Sequence, residues 1–167
     1  MSDNKATGRA WVFGDDVDTD ALAPGRFMHR PFEELARNCL IDVSPEFASD
    51  AGAGDVLIAG KNFGVGSSRD QAAQALKARG LAGVVALSYA GIFYRNAINF
   101  GLPVLVGDAS GVADGSLVAL ELEAGTLSHD GGTIRLEAMP AFLLDIVRSG
   151  GLVPHLEKRF AAERENT

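Results

Sequence analysis

The chain contains 167 residues, of which 47% are hydrophobic and 20 are glycine, so it is long enough to form one domain with a substantial core. The net charge of −7 is not concentrated in one block, which argues against a nucleic acid as partner. The single cysteine, Cys39, excludes an internal disulfide, and it excludes an iron–sulfur cluster held by this chain because such clusters take about three or four thiolates.

The hydropathy and the ends of the chain predict its compartment. No apolar run approaches the roughly 20 residues of a membrane-spanning helix, and the polar start at residues 1–10 does not resemble a signal peptide. Because a lone cysteine also suits a reducing compartment, we expect a cytoplasmic protein without membrane contact.

We expect a single domain over residues 1–167, with frayed tails at residues 1–8 and 161–167.

Four elements are predicted in the first part of the chain. They are a strand at 10–13, a helix at 31–40, a helical turn at 44–49 and a strand at 55–59. The helix at 31–40 has a proline in its first turn and an apolar face that includes Cys39, so we expect this thiol to lie in the core. The strand at 55–59 leads into a glycine-rich loop and then into a helix that runs to Arg79, where Gly80 ends it.

The second part of the chain predicts a change of architecture. Residues 83–88 form an apolar strand and residues 91–100 a helix, so strands and helices alternate, which predicts βαβ units and a parallel sheet. From residue 117 to residue 136 the hydrophobic pattern has a period of two, broken by a turn at 130–132, which predicts antiparallel strands. Helices are predicted at 140–149 and 152–160. The fold class is therefore α/β, with a mixed sheet.

The loop that begins at Gly60 carries the strongest chemical signal. Three glycines in seven residues, at positions 60, 64 and 66, let the backbone turn tightly and approach a ligand closely. Two serines and an arginine follow at residues 67–69, where the first turn of the next helix directs unpaired N–H groups outward. This arrangement is typical of an anion site. The loop also follows a strand of a parallel sheet, and ligands bind at that edge of such sheets.

A purely structural interpretation of the same loop stays open. Ser68 and Gln71 have the spacing of a capping box, which would only begin the helix. The P-loop, the dinucleotide-binding GxGxxG pattern and the GxSxG elbow of serine hydrolases all require residues that this loop lacks. The residues by themselves therefore leave an anion site and a helix cap as alternatives.

Residues 15–20 contain four aspartates. Asp16, Asp18 and Asp20 have the spacing of a calcium-binding EF-hand loop. That loop fails here, because Ala21 stands where glycine is needed and Phe27 where a glutamate is needed. We therefore predict no metal site in this segment, and a solvated turn and a functional carboxylate remain the two interpretations.

Three segments of the chain resemble motifs of the aconitase superfamily, in the form carried by small subunits of isopropylmalate dehydratase and homoaconitase. Residues 60–72 (GKNFGVGSSRDQA) are similar to the family's GxGSSREHA loop, residues 15–24 (DDVDTDALAP) to its first motif and residues 92–105 (IFYRNAINFGLPVL) to its third. The motifs occur in the family's order and spacing. The similarity extends from about residue 9 to residue 156, which is nearly the whole chain.

The resemblance implies a three-layer β/β/α swivelling domain, as in the C-terminal part of aconitase. It also implies a hydro-lyase of two chains, in which this small subunit forms a heterodimer or heterotetramer with a large subunit that carries a [4Fe-4S] cluster. The substrate would be a 2- or 3-hydroxy di- or tricarboxylic acid, which is dehydrated and rehydrated. In isopropylmalate enzymes this reaction belongs to leucine biosynthesis. No metal is expected on the small subunit itself.

The resemblance assigns catalytic roles to matching positions. Ser67, the first serine of the GSSR run, corresponds to the base, which works as an alkoxide stabilised by backbone N–H groups and the helix end. Asp20, the aspartate of the TD pair, corresponds to an active-site carboxylate. Gly64 and Gly66 correspond to the backbone turn that gives the base its geometry.

The resemblance also assigns residues to substrate binding. Ser68 and Arg69 correspond to groups that hold a substrate carboxylate, Arg69 through a bidentate fork. The loop at residues 25–30 corresponds to the segment that contacts the variable substituent of the substrate, with His29 and Arg30 at its tip. Polar groups at this tip favour a substituent with a carboxylate over an isopropyl group, although a plain surface loop is the alternative.

Three departures from the family pattern bear on the substrate. Val65 replaces a cysteine or glutamate between the glycines, Asp-Gln at residues 70–71 replaces Glu-His, and Gly91 replaces an arginine. The serine that corresponds to the base and the residues that correspond to the carboxylate-binding groups are retained at positions 67–69. The sequence therefore predicts a hydro-lyase small subunit of the 3-isopropylmalate dehydratase type. The alternatives are a paralogous homoaconitase-like or alkylmalate dehydratase subunit, and a non-catalytic carboxylate-binding or regulatory domain.

Overall fold

A computed structural model of the chain describes residues 6–166. Over that range the chain forms seven β-strands and seven α-helices. The strands are β1 (Ala6–Val12), β2 (Val56–Ala59), β3 (Gly83–Ala86), β4 (Val104–Val106), β5 (Leu117–Glu121), β6 (Thr126–His129) and β7 (Gly132–Arg135). The helices are α1 (Thr19–Leu22), α2 (Phe32–Arg37), α3 (Pro45–Asp50), α4 (Asp70–Ala78), α5 (Gly91–Asn99), α6 (Ala141–Arg148) and α7 (Leu152–Glu165).

The strands form one mixed sheet in the order β4-β3-β2-β1-β5-β6-β7. Strands β1 to β4 are parallel, and β5 to β7 are antiparallel, as the sequence predicts. All residues of β2 and β3 are buried, because an unbroken apolar run suits a strand that is covered on both faces. In β5 the burial alternates, which matches its period of two.

Strand β1 belongs to both halves of the sheet. Its residues 6–9 pair with β5, and its residues 10–12 pair with β2. The antiparallel half then curls over the parallel half: a Cβ added to Gly83 of β3 would lie 2.8 Å from Cδ2 of Leu120 in β5. The opposite side is covered by helices, where α4 packs against α2 and α5. The molecule is therefore a β/β/α arrangement of three layers.

Two predictions about the ends are wrong within the described residues. The predicted fraying from residue 1 to residue 8 conflicts with β1, in which Thr7 pairs with Ala119 and Gly8 passes so close to Gly54 that a Cβ would overlap its carbonyl. The predicted fraying from residue 161 conflicts with α7, which continues to Glu165. Residues 1–5 and 167 lie outside the described residues.

The single thiol lies in the core, as predicted. Cys39 has 0% exposure, and burial raises its pKa to about 12. No helix within residues 6–166 is both long enough and apolar enough to span a lipid bilayer.

Candidate active site

Three loops meet at the carboxyl ends of the parallel strands. The loop after β2 is joined to the loop after β1 by several backbone hydrogen bonds, among them those from Gly64 N–H to the Val17 carbonyl at 2.7 Å and from Thr19 N–H to the Val65 carbonyl at 2.9 Å. It is joined to the loop after β3 by further backbone hydrogen bonds, among them those from Ala90 N–H to the Phe63 carbonyl and from Phe63 N–H to the Ser88 carbonyl, both at 3.0 Å. Side chains that are far apart in the sequence are thereby fixed around one edge of the sheet.

The glycines of the central loop are required by close packing. Gly64 has φ +81°, and a Cβ at this position would overlap the Phe93 ring of α5, at 2.7 Å from its Cδ2. Gly66 has φ +123°, and a Cβ there would lie 2.8 Å from Oγ1 of Thr19. Both values of φ lie in the region that favours glycine. The loop therefore passes between α1 and α5 with no room for side chains at these two positions.

The serines of the loop do not form the helix cap that the sequence leaves open as an alternative. Helix α4 begins at Asp70 with Arg69 in the N-cap position, and the Arg69 side chain makes no capping hydrogen bond. A capping box of Ser68 with Gln71 would need the helix to begin one residue earlier. The capping interpretation is thus wrong for this chain. Ser67 and Ser68 are both exposed at the edge of the sheet.

Ser67 is held by a buried threonine of α1. Its N–H donates to Oγ1 of Thr19 at 3.0 Å, and its own Oγ lies 3.1 Å from the same oxygen. Thr19 is 3% exposed and is the one buried polar residue among the described side chains. Sequence reasoning did not single out Thr19, although it directly precedes Asp20 in the first motif. Its contact with Ser67 joins residues that are 48 positions apart and cannot be inferred from local pattern.

Arg69 joins the central loop to α1. Its Nη1 donates to Oδ1 of Asp20 at 2.9 Å and to the carbonyl of Ala23 at 3.0 Å. The Asp20 carboxylate also accepts the N–H of Gly25 at 3.2 Å. The Arg69 guanidinium, followed by the Gly25 N–H, lowers the pKa of Asp20 below its ordinary value. The sequence predicted both side chains as site residues, and the structure places them in direct contact.

The guanidinium of Arg69 still has an unoccupied edge. Side-chain exposure is 29% for Arg69, against 72% for its partner Asp20. In the described part of the chain, Nε and Nη2 of Arg69 have no hydrogen-bond acceptor. The N–H bonds of these two nitrogens are parallel in the planar guanidinium, and their spacing matches the two oxygens of a carboxylate.

Of the other aspartates of the first motif, Asp15 and Asp16 connect two loops, and Asp18 caps helix α1. Oδ1 of Asp15 accepts the N–H of Lys61 at 2.7 Å, Oδ1 of Asp16 accepts from the side chain of Asn62 at 3.1 Å, and Oδ1 of Asp18 accepts the N–H of Ala21 at 2.7 Å. Among residues 6–166 no group of three His, Cys, Asp or Glu side chains is arranged to hold a metal ion. The hydrogen bonds of Asp15 and Asp16 hold this segment against the loop after β2.

His29 and Arg30 lie in a turn that follows a short 3-10 helix, Gly25–Phe27. Both side chains are exposed, and within the described residues no hydrogen bond or ion pair joins either of them to Ser67 or Arg69. The segment is anchored by Arg26, whose Nη1 and Nη2 donate to the two carboxylate oxygens of Asp42 at 2.6 and 2.8 Å. The structure thus brings together Ser67, Arg69 and Asp20, while His29 and Arg30 lie on a neighbouring loop.

The position of Gly91 is at the start of α5, on the same edge of the sheet. A Cβ at Gly91 would have the Nη2 of Arg95 as its nearest neighbour, at 3.9 Å. The guanidinium of Arg95, one helical turn further on, donates through Nε to the Gly91 carbonyl at 3.4 Å. The guanidinium of Arg95, from the same helix, therefore lies next to the space beside Gly91.

Comparison with known proteins agrees with this architecture. Residues 37–107 match the model of the aconitase C-terminal domain. The chain is 44% identical to 3-isopropylmalate dehydratase small subunit 2 of Archaeoglobus fulgidus, over 92% of this chain and 96% of that protein. It is also 44% identical to the methanogen homoaconitase small subunit of Methanothermobacter thermautotrophicus, over 90% of each chain.

A solved structure gives the same result for the fold. The crystal structure of 3-isopropylmalate dehydratase (leuD) from Methanocaldococcus jannaschii superposes with a TM-score of 0.92 at 39% identity, covering 98% of this chain and 99% of that one. The predicted swivelling-domain fold is thereby confirmed. This chain belongs to the family of small subunits of 3-isopropylmalate dehydratase and homoaconitase, whose fold is that of the aconitase C-terminal domain.

Proposed function

We propose that this chain supplies the proton-accepting serine and the carboxylate-binding arginine of a hydro-lyase, and that a separate large subunit completes the site. The observation that carries the proposal is the arrangement at the edge of the sheet. Ser67 is exposed there but fixed by Thr19, and the Arg69 guanidinium beside it presents a free edge. This is the geometry that a small carboxylic acid needs for binding and deprotonation at adjacent points.

Ser67 acts as the base in this proposal. It takes the proton from the carbon next to a carboxylate, the C–H electron pair forms the new C=C bond, and the hydroxyl of the neighbouring carbon leaves with its own electron pair. A serine hydroxyl is a weak base, so the ionised form must be stabilised by nearby donors. Such donors are available in the exposed backbone around Gly66 and at the start of α4, which has no side-chain cap.

Arg69 and Ser68 hold the substrate carboxylate. Nη1 of Arg69 is engaged by Asp20 and the Ala23 carbonyl, so the plane of the guanidinium is fixed before substrate binds. The N–H groups of Nε and Nη2 then donate to the two carboxylate oxygens, and the exposed Ser68 hydroxyl donates a further hydrogen bond. Asp20 is thus a positioning residue for the arginine.

This chain does not fit an iron–sulfur cluster. Its one cysteine, Cys39, is fully buried in the core with a protonated thiol. We therefore assign the [4Fe-4S] cluster to the large subunit, where it supplies a Lewis acid for the leaving hydroxyl. The names of the relatives describe them as small subunits, which supports the proposal that this chain has a large-subunit partner.

The substrate we propose is a 2- or 3-hydroxy acid of the malate type with a polar substituent. Overall identity does not separate isopropylmalate from homoaconitase relatives, since both stand at 44%. The exposed His29 and Arg30 favour a third carboxylate over an alkyl group. A standard 3-isopropylmalate substrate, or another alkylmalate, is the second candidate, supported by the names of several relatives.

The test is reconstitution with the large subunit. The two chains are co-purified without oxygen, and formation of the unsaturated acid is followed by ultraviolet absorbance with isopropylmalate, homocitrate, citrate and methyl-substituted malates. Ser67→Ala should abolish turnover while the complex still assembles, and Ser49→Ala, an exposed serine of α3, serves as control. Normal turnover by Ser67→Ala would contradict the assignment of the base. If the loaded complex forms and every acid is inert, the non-catalytic carboxylate-binding alternative is favoured.

A further inference from the structure

The hydroxyl of Thr19 is the feature that the proposed function leaves unused. Thr19 is 3% exposed, so its hydroxyl is removed from solvent and must find partners within the protein. Its Oγ1 accepts the N–H of Ser67 at 3.0 Å, which occupies one lone pair of this oxygen. The hydroxyl proton of Thr19 still needs an acceptor. Among the residues that the structure describes, Oγ of Ser67, at 3.1 Å, is the one acceptor within hydrogen-bond distance of that proton.

We propose that Thr19 donates its hydroxyl proton to Oγ of Ser67 and thereby stabilises the ionised form of this serine. The inference rests on the proposed function of Ser67 as the base. A backbone N–H from Ser67 on one side of Oγ1 gives the Thr19 hydroxyl a fixed direction. In the neutral state the Ser67 proton is then directed away from Thr19, toward the exposed side where a substrate would lie.

The surrounding backbone holds Thr19 in this orientation. Its N–H donates to the Val65 carbonyl at 2.9 Å, and its carbonyl accepts from Ala23 at 2.8 Å. Gly66 allows the close approach, because a Cβ at this position would lie 2.8 Å from Oγ1 of Thr19. The donor is therefore in place before any charge develops on Ser67, which is the condition for effective electrostatic stabilisation.

The proton balance is simple. The substrate C–H proton moves to Oγ of Ser67, and the C–H electron pair becomes part of the C=C bond. Thr19 keeps its own proton throughout and contributes a hydrogen bond that is stronger to the alkoxide than to the hydroxyl. Thr19 is thus a positioning residue that acts through Ser67.

The experiment compares Thr19→Val with Thr19→Ser in the reconstituted two-chain complex. Thr19→Val keeps the branched shape but removes the donor, so kcat should fall about 100-fold while KM changes by less than about twofold. The pH at which the ionised base is half-formed, read from the kcat profile, should move upward. Thr19→Ser keeps the donor and should retain kcat to within about threefold and the original pH profile. Thr133→Val, in the exposed strand β7, controls for loss of a threonine hydroxyl elsewhere.

Several outcomes would overturn the inference. An unchanged kcat and pH profile in Thr19→Val would do so, and so would a Thr19→Ser variant as impaired as Thr19→Val, since the methyl group would then be what matters. If Thr19→Val does not assemble, Thr19→Ala is compared with Thr19→Ser by the same criteria.

The same set of variants separates the two proposals. Turnover that survives Ser67→Ala overturns the function of Ser67 itself. An inactive Ser67→Ala beside a fully active Thr19→Val leaves that function standing and overturns the role of Thr19.

Discussion

Nη1 of Arg69 lies 2.9 Å from Oδ1 of Asp20, and this contact links the loop after β2 to helix α1. The same nitrogen donates to the Ala23 carbonyl, so the arginine is fixed by a charge and by a backbone oxygen together. Because both contacts use Nη1, the remaining edge of the guanidinium keeps a constant direction. The pair thus leaves Nε and Nη2 available for the carboxylate that we propose as their ligand.

The pKa of the Asp20 carboxyl should lie below its ordinary value. Arg69 lowers its pKa below the ordinary 3.8, so the ionised form is favoured in the folded chain. The contribution of the pair to stability is present above the unfolded-state pKa and is lost as the pH falls through the folded-state pKa. Carbon-detected NMR titration of the isolated chain measures the pKa of Asp20, and Arg69→Ala should return this pKa toward its ordinary value. An ordinary titration of Asp20 in the unchanged chain would refute the contact.

Gly64→Ala should destabilise the fold. The new Cβ would overlap the Phe93 ring, and alanine is strained at φ +81°. The left-handed backbone costs about 1–2 kcal/mol and overpacking about 1–3 kcal/mol, so the free energy of unfolding should fall by about 2–5 kcal/mol. Gly111→Ala is the matched control, because nothing lies within 4 Å of its Cβ position. Urea denaturation of both variants gives the comparison, and equal midpoints would contradict the packing described for this loop.

Cys39 should resist thiol reagents in the folded protein. The side chain is fully buried and its pKa is raised to about 12, so the reactive thiolate is scarce at pH 8. Ellman's reagent should therefore react with one thiol per chain in guanidinium chloride and only slowly without it. Since the ordinary pKa is 9.0, stability should also decline as the pH rises from about 9 toward 12, where the unfolded thiol ionises and the folded one does not. Fast labelling of the native chain would show that Cys39 is accessible.

Arg30→Leu should change the choice of substrate. If Arg30 contacts the substituent, its loss should reduce kcat/KM by roughly 10-fold or more for an acid with a third carboxylate, because a charged hydrogen bond is lost. An alkyl-substituted malate should be affected much less. Arg37→Leu, an exposed arginine on α2, provides the control. Equal losses for the two acids would show that this loop does not contact the substituent.

The sequence predicts most of the fold, for identifiable reasons. The strands β2 and β3 are uninterrupted apolar runs, and β5 alternates with period two, so each has a clear local pattern. Helix α1 was not predicted, because four residues are too few to show a helical period. The capping box of Ser68 with Gln71, which the sequence leaves open, does not form, because the tertiary contacts of the loop override it.

The candidate site was predictable only in part. Ser67, Arg69 and Asp20 stand within motifs that can be recognised along the chain, and the structure shows that Arg69 and Asp20 are in contact. The role of Thr19 depends on a contact that forms when β1 and β2 become neighbours, so no local pattern could show it. The placement of His29 and Arg30 relative to the substrate depends on a loop and on a second chain, and their role stays a prediction.

The membership of β1 in both halves of the sheet has a consequence for how the chain folds during synthesis. Strands β2 and β3 are joined by a short helical crossover, so they can pair soon after they leave the ribosome. Strand β1 is made first, yet residues 6–9 find their partner only once β5 has been made. The same order is expected when the complete chain refolds, because Leu57 pairs with the nearby Val84 whereas Thr7 pairs with the distant Ala119. Pulse-labelled hydrogen exchange should then show protection of the amides of β2 and β3 before those of residues 6–9. Residues 6–9 would thus be among the last parts of the sheet to be paired, although they are made before their partner strand.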